Sequence, residues 1–190
     1  MISVKTNNSN LKEKIILRLK NLPNKEKIYV LDLFHGDGTI WESIKRITKK
    51  NIIVHGIDIK IYEDSFALIG DNLKTLESLN LNKYDIIDVD AYGEPVDLLK
   101  IIFSKLENPT QLFITFIQSQ FGRLPNKLLL ENSIDPNIYT KCQTLFNKHG
   151  KELFFYFLSC YFITNILYYQ TGSKIYLACI GKGESNEYNL

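Results

Sequence analysis

The sequence predicts an α/β fold, a doubly wound and mostly parallel seven-stranded sheet with a C-terminal antiparallel β-hairpin. Three observations predict it. Short apolar runs alternate with amphipathic, helix-spaced stretches over residues 27–131. The run Tyr29-Val30-Leu31-Asp32-Leu33 passes through Gly36 and Gly38 and enters a helical pattern at Thr39. A parallel strand hands over to a nucleotide-binding turn in this way. Two last apolar runs, Ile163–Tyr169 and Lys174–Ile180, are joined by Gln170-Thr171-Gly172-Ser173, the composition of a hairpin connection.

The length of 190 residues fits one domain with a full core. Residues 1–182 read as that domain, including an N-terminal amphipathic helix, and 183–190 as a polar tail. With 45% hydrophobic and 23% charged residues, disorder is excluded except at the ends. The net charge of +2 gives no bulk attraction for a polyanion, so nucleic-acid binding would need a local basic patch.

The three cysteines, Cys142, Cys160 and Cys179, make no metal pattern with His35, His55 or His149, and no metal is expected. They read as buried free thiols of a reducing, cytoplasmic setting. The polar N-terminus does not read as a signal peptide. Leu153–Ser173 carries no charge, but its polar residues and its change of period indicate a buried helix end followed by a buried strand, not a membrane span.

In chain order, Ser9-Asn10 caps a helix from Leu11 to Leu22, with Leu11, Ile15, Ile16, Leu19 and Leu22 on one face. Lys12, Lys14, Arg18 and Lys20 read as its solvated side, or as a basic arm for a polyanion. Pro23-Asn24 ends it. Strands are expected at Lys27–Leu33, Asn51–Ile59, Ser65–Ile69, Lys83–Val89 and Gln111–Ile117. Helices are expected at Thr39–Lys49, through Leu73, Leu76 and Leu79, at Val96–Leu106, at Pro125–Glu131, and from Pro136 to about Tyr161 with a possible interruption at Gly150.

Asp32-Leu33-Phe34-His35-Gly36-Asp37-Gly38 matches the first motif of the class I S-adenosylmethionine-dependent methyltransferases, which the alternating units and terminal hairpin also resemble. The resemblance implies a Rossmann-like methyltransferase fold with S-adenosylmethionine as cofactor. It places Asp32, Phe34, His35, Gly36 and Gly38 in the cofactor turn. Asp58, twenty residues after Gly38, takes the ribose-binding position. A carboxylate there accepts two bonds from a vicinal diol. Asp71 takes the adenine-amine position, with Asn72 a neighbouring candidate. Each has a plainer reading: a tight turn for the glycines, a strand-end acid for Asp58, a helix N-cap for Asp71, a turn residue for His35. All of them fall, in order, at strand C-termini, where open α/β sheets bind ligands.

Asp88-Val89-Asp90-Ala91-Tyr92-Gly93-Glu94-Pro95 is similar to the fourth motif of tRNA guanine-N2 dimethyltransferases, Asp-x-Asp-Pro-Phe-Gly-Ser-Pro. Ala91 stands where that motif has proline, and Glu94 where it has serine. The resemblance implies N-methylation of an exocyclic amine of a nucleobase in RNA or DNA. Such an amine is conjugated with its ring and is a poor nucleophile. A carboxylate, Asp90, and a backbone carbonyl accepting its N–H bonds would localise its lone pair, while Tyr92 stacks on the ring. Asp90 and Tyr92 are thus the catalytic candidates, and Tyr92, Gly93 and Arg123 the substrate-binding ones. Asp90 and Tyr92 also read as a strand-end acid and a core-edge aromatic. Gln118, Ser119 and Gln120 lie near the same edge, and Arg123 with Lys127 suits either a phosphate or plain surface. The alternatives are a small-molecule methyltransferase and a catalytically inactive, methyltransferase-like binding subunit.

Overall fold

The computed structural model describes residues 10–60, 62, 65–118 and 123–182. Seven strands form one sheet in the order β3-β2-β1-β4-β5-β7-β6. They are β1 Lys27–Asp32, β2 Asn51–Asp58, β3 Leu68–Ile69, β4 Ile86–Val89, β5 Thr110–Ile117, β6 Phe162–Thr171 and β7 Lys174–Lys182. The first five run parallel, and β7 lies antiparallel between β5 and β6. Gly172-Ser173 makes the tight turn between the last two strands, with Gly172 at φ 54°. β6 bulges at Asn165, a non-glycine residue at φ 53°.

The helices are α1 Leu11–Lys20, α2 Thr39–Ile47, α3 Asn72–Ser78, α4 Val96–Lys105, α5 Asn126–Glu131, α6 Pro136–Lys141, α7 Gln143–Asn147 and α8 Gly150–Ser159. A parallel strand covered on both faces needs apolar residues on both. In β1, Ile28 and Val30 join the layer with Trp41 and Ile44 of α2. Leu31, at the other parity, joins the layer built by Leu76, Leu99, Ile102, Phe103, Phe154 and Phe157. The strand order reverses at β1, with β2 and β3 on one side of it and β4 and β5 on the other. That reversal opens a crevice at the carboxyl ends of β1 and β4.

Several elements differ from the sequence reading. β3 is two residues long, and β4 begins at Ile86 because Leu81–Lys83 closes a 3-10 turn. The expected helix from Pro136 is three helices, broken at Cys142 and at Lys148-His149. The interruption expected at Gly150 falls just before it, at Lys148-His149, and Gly150 opens the last helix. A Cβ there would lie 2.4 Å from Gln118 Oε1 and 2.7 Å from Leu124, so close packing explains the glycine. Cys179 is buried, but Cys142 and Cys160 are exposed, because they sit at helix ends and not on a core face. Leu153–Ser173 becomes α8 followed by β6, but β6 is not the buried strand expected: it is the sheet's edge and is mostly exposed. No helix among the described residues is long and apolar enough to cross a membrane.

The largest correction concerns α1. Lys14 and Arg18 are not solvated; they are 8% and 2% exposed and lie against the sheet. Ile15, Leu17, Leu19 and Leu22 pack on the same layer, while Ile16 is exposed. Asn10 precedes the helix at φ 62° without a side-chain cap, and its amide donates to the Tyr176 hydroxyl at 3.2 Å.

Candidate active site

The carboxyl ends of β1 and β2 are joined by a network that the glycine turn completes. Gly36 and Gly38 have φ of 56° and 75°, a region that favours glycine. The Gly36 amide donates to Asp58 Oδ2 at 2.9 Å, and the Lys60 amide to Asp58 Oδ1 at 2.9 Å. Asp32 accepts from the Phe34 amide at 3.3 Å and pairs with His35 Nδ1 at 2.9 Å. Asp32, His35, Gly36, Gly38 and Asp58 are thus brought together.

His35 serves the turn by packing. A Cβ on Gly56 would lie 2.4 Å from His35 Cγ, and one on Gly38 would lie 2.9 Å from His35 Nε2. Gly56, which the sequence reading passed over, gives His35 its room beside the turn; a glycine inside a strand was its signal. Burial pushes the His35 pKa down, but the bond and charge of Asp32 outweigh it and raise it above 6.5.

Beyond the turn lies a cavity of about 240 Å³, lined by residues that include Phe34, Ile59, Asp71, Asn72, Leu73 and Glu94. Asp71 takes the N-cap role at α3, accepting from the Lys74 amide at 3.0 Å. The amide nitrogen of Asn72 donates to the Leu33 carbonyl, which leaves Asn72 Oδ1 buried and without a hydrogen-bond partner. A larger cleft of about 920 Å³ is lined by the 3-10 turn at Leu81, the C-terminal end of α4 and Tyr161, and includes none of these groups.

The end of β4 is organised by α1. Asp88 and Asp90 are two apart, so both project to the face that α1 and α2 cover. Asp88 accepts from Arg18 Nε at 2.7 Å, Arg18 Nη2 at 2.6 Å and Trp41 Nε1 at 3.0 Å. Burial raises its pKa to about 6, with the charge and hydrogen bonds of Arg18 opposing. Asp90 Oδ2 accepts from Lys14 Nζ at 2.6 Å, and its Oδ1 from the Thr115 hydroxyl at 2.5 Å. Burial opposes its charge, yet Arg18 and Lys14 hold its carboxyl below the ordinary range.

The remaining candidates are more open. Tyr92 is 75% exposed. Gly93 has φ 140°, open space where a Cβ would be, and a carbonyl that accepts from the Ile117 amide at 3.1 Å. Arg123 is exposed, whereas Lys127 is held by Asp97 and sits 3.9 Å from Glu94 Oε1. Ser119 and Gln120 lie outside the described residues. Among the described residues no group of three or more His, Cys, Asp or Glu is placed to hold a metal.

No protein-family model matches the chain. Over 85 residues it is 27% identical to the tRNA (guanine(26)-N(2))-dimethyltransferase of Pyrobaculum arsenaticum, a match covering 44% of this chain and 22% of that protein. Trm1 from Pyrococcus horikoshii, solved with S-adenosyl-L-methionine, superposes with a TM-score of 0.63 at 14% identity, over 95% of this chain and 57% of that one. A putative class I S-adenosylmethionine-dependent methyltransferase from Listeria monocytogenes superposes with a TM-score of 0.52 at 11% identity, over 97% and 64%. The chain thus spans less than two thirds of the length of each of these proteins.

Proposed function

We propose, for a chain with the class I S-adenosylmethionine-dependent methyltransferase fold, that it binds S-adenosylmethionine and methylates an exocyclic amine of a nucleobase in RNA. The observation that carries the cofactor reading is the Asp58 carboxylate, anchored by the Gly36 and Lys60 amides beside the glycine turn. Those bonds leave each oxygen a further lone pair for a ribose hydroxyl. The residues present fit the cofactor on one further count. Asn72 Oδ1 is a buried acceptor without a partner, on the wall of a cavity of about 240 Å³. An adenine amine would satisfy it, and Phe34, Ile59 and Leu73 supply apolar wall for the ring.

The bound cofactor supplies a sulfonium-activated methyl group. The chain's own residues position the acceptor. Asp90 is fixed by Lys14 and Thr115 with one lone pair left on each oxygen. Such a carboxylate is placed to accept an amine N–H. Tyr92, exposed beside the open space at Gly93, offers a face for the ring. The curated relative is named for dimethylating a tRNA guanine at N2, which supports an RNA amine as the acceptor class.

Calorimetry with S-adenosylhomocysteine and transfer of labelled methyl groups to unmodified tRNA test the two halves. Micromolar binding and salt-sensitive transfer that Asp90→Ala abolishes are expected. No heat at millimolar ligand would sink the cofactor reading. Transfer untouched by Asp90→Ala would sink the role of Asp90. A second reading, an inactive binding subunit, is favoured by one observation: both Asp90 oxygens are already engaged by the protein. Cofactor binding with no transfer to RNA, DNA or metabolites decides for it.

A further inference from the structure

Glu94 departs from the serine of the dimethyltransferase motif, and its position suggests why. It precedes α4 and lines the same cavity as Asn72. Its Oε2 is buried and has no hydrogen-bond partner, like Asn72 Oδ1. Lys127 stands 3.9 Å from the other oxygen and is held by Asp97. Burial and then the charge of Asp97 raise the carboxyl's pKa, with Lys127 and a hydrogen bond from the Val96 amide opposing.

An unsatisfied buried acceptor is costly, and two lining one cavity call for a ligand with donors. Both are acceptor oxygens, one of a carboxylate and one of a side-chain amide. They therefore suit a group offering two hydrogens from one atom, an aromatic amine. We propose that Glu94 and Asn72 together receive the two N–H bonds of the 6-amino group of the cofactor's adenine, and that Glu94 is a specificity residue of this chain. The assignment rests on the cofactor reading above. In it, Asp71 is left to cap α3, where its side chain is already engaged. Glu94 also links the two halves of the site, because it stands two residues after Tyr92 at the turn expected to hold the acceptor.

The test crosses the side chain against the amino group. Calorimetry compares S-adenosylhomocysteine with the analogue whose base is unsubstituted purine, on the wild-type chain, Glu94→Ala and Glu94→Gln. For wild type, loss of the amino group should weaken binding about a hundredfold, since two buried acceptors lose their donors. For Glu94→Ala the same loss should cost about tenfold, leaving the share of Asn72. Glu94→Gln keeps an acceptor oxygen and should hold the wild-type ratio within about threefold. Thermal melts show that each variant is folded. Equal binding of both ligands by the wild-type chain, or the same hundredfold ratio in Glu94→Ala, overturns the role of Glu94 and leaves the cofactor reading intact. If the wild-type chain takes up neither ligand, the cofactor reading falls and this assignment falls with it.

Discussion

Lys14 Nζ lies 2.6 Å from Asp90 Oδ2, with the two side chains 10% and 11% exposed. The N-terminal helix therefore supplies the cation for the carboxylate at the end of the central strand. Removing one member of a buried pair leaves the other charge uncompensated, at about 3–5 kcal/mol. Lys14→Met should destabilise by that order in urea denaturation. Lys14→Met combined with Asp90→Asn should recover most of the loss, because neither charge remains. Additive losses in the double variant would mean that the pair contributes no coupling.

Gly56 and His35 form a second dependence. The Cβ of an alanine at 56 would meet the imidazole at 2.4 Å. Displacing a packed ring costs about 1–3 kcal/mol, and here the ring braces the glycine turn. Gly56→Ala should lose that stability and weaken S-adenosylhomocysteine binding. His35→Ala combined with Gly56→Ala should cost less than the sum of the two. A Gly56→Ala variant with wild-type stability would refute the contact.

The same histidine gives a pH signature. Its folded pKa is raised above 6.5, burial being outweighed by Asp32. The protonated form is then favoured by folding. Its contribution is complete below the unfolded value and disappears as pH rises through the folded one. The stability difference between wild type and His35→Gln should be larger at pH 5.5 than at pH 9. A difference that grows with pH would contradict the pairing.

Much of this site was legible in the sequence, for reasons that also explain what was not. Asp32, Gly36, Gly38 and Asp58 mark strand ends and a turn, and apolar runs with glycines report both directly. Lys14 and Arg18 misled because lysine and arginine on an amphipathic helix ordinarily face water. The information lay in β4, where Asp88 sits inside a strand buried on both faces and so requires a cation. The break at Lys148-His149 is announced by the adjacent Gly150, whereas the break at Cys142 has no glycine or proline to mark it.

Asp58 should prove both structural and functional. Asp58→Ala strips acceptors from the Gly36 and Lys60 amides, costing about 1–3 kcal/mol, and should lower S-adenosylhomocysteine affinity at least about a hundredfold. Asp58→Asn keeps one acceptor oxygen and should fall between the two. Calorimetry beside thermal melting separates the effects. Unchanged affinity in a folded Asp58→Ala chain would remove Asp58 from the ligand's surroundings.

The three cysteines should separate cleanly in a thiol-labelling experiment. The thiolate is the reactive form, and access decides the rest. Cys142 and Cys160 are exposed at helix ends. Cys179 lies on β7, paired with Leu112 of β5, and burial pushes its thiol up to about 12. A chromogenic disulfide reagent should modify two thiols of the native chain quickly. The third should follow only as the sheet opens, at a rate that urea accelerates. In Cys142→Ser combined with Cys160→Ser, fast labelling should vanish without loss of stability, since neither thiol packs in the core. Three fast thiols in the native chain would place β7 outside the protected sheet and contradict its position between β5 and β6.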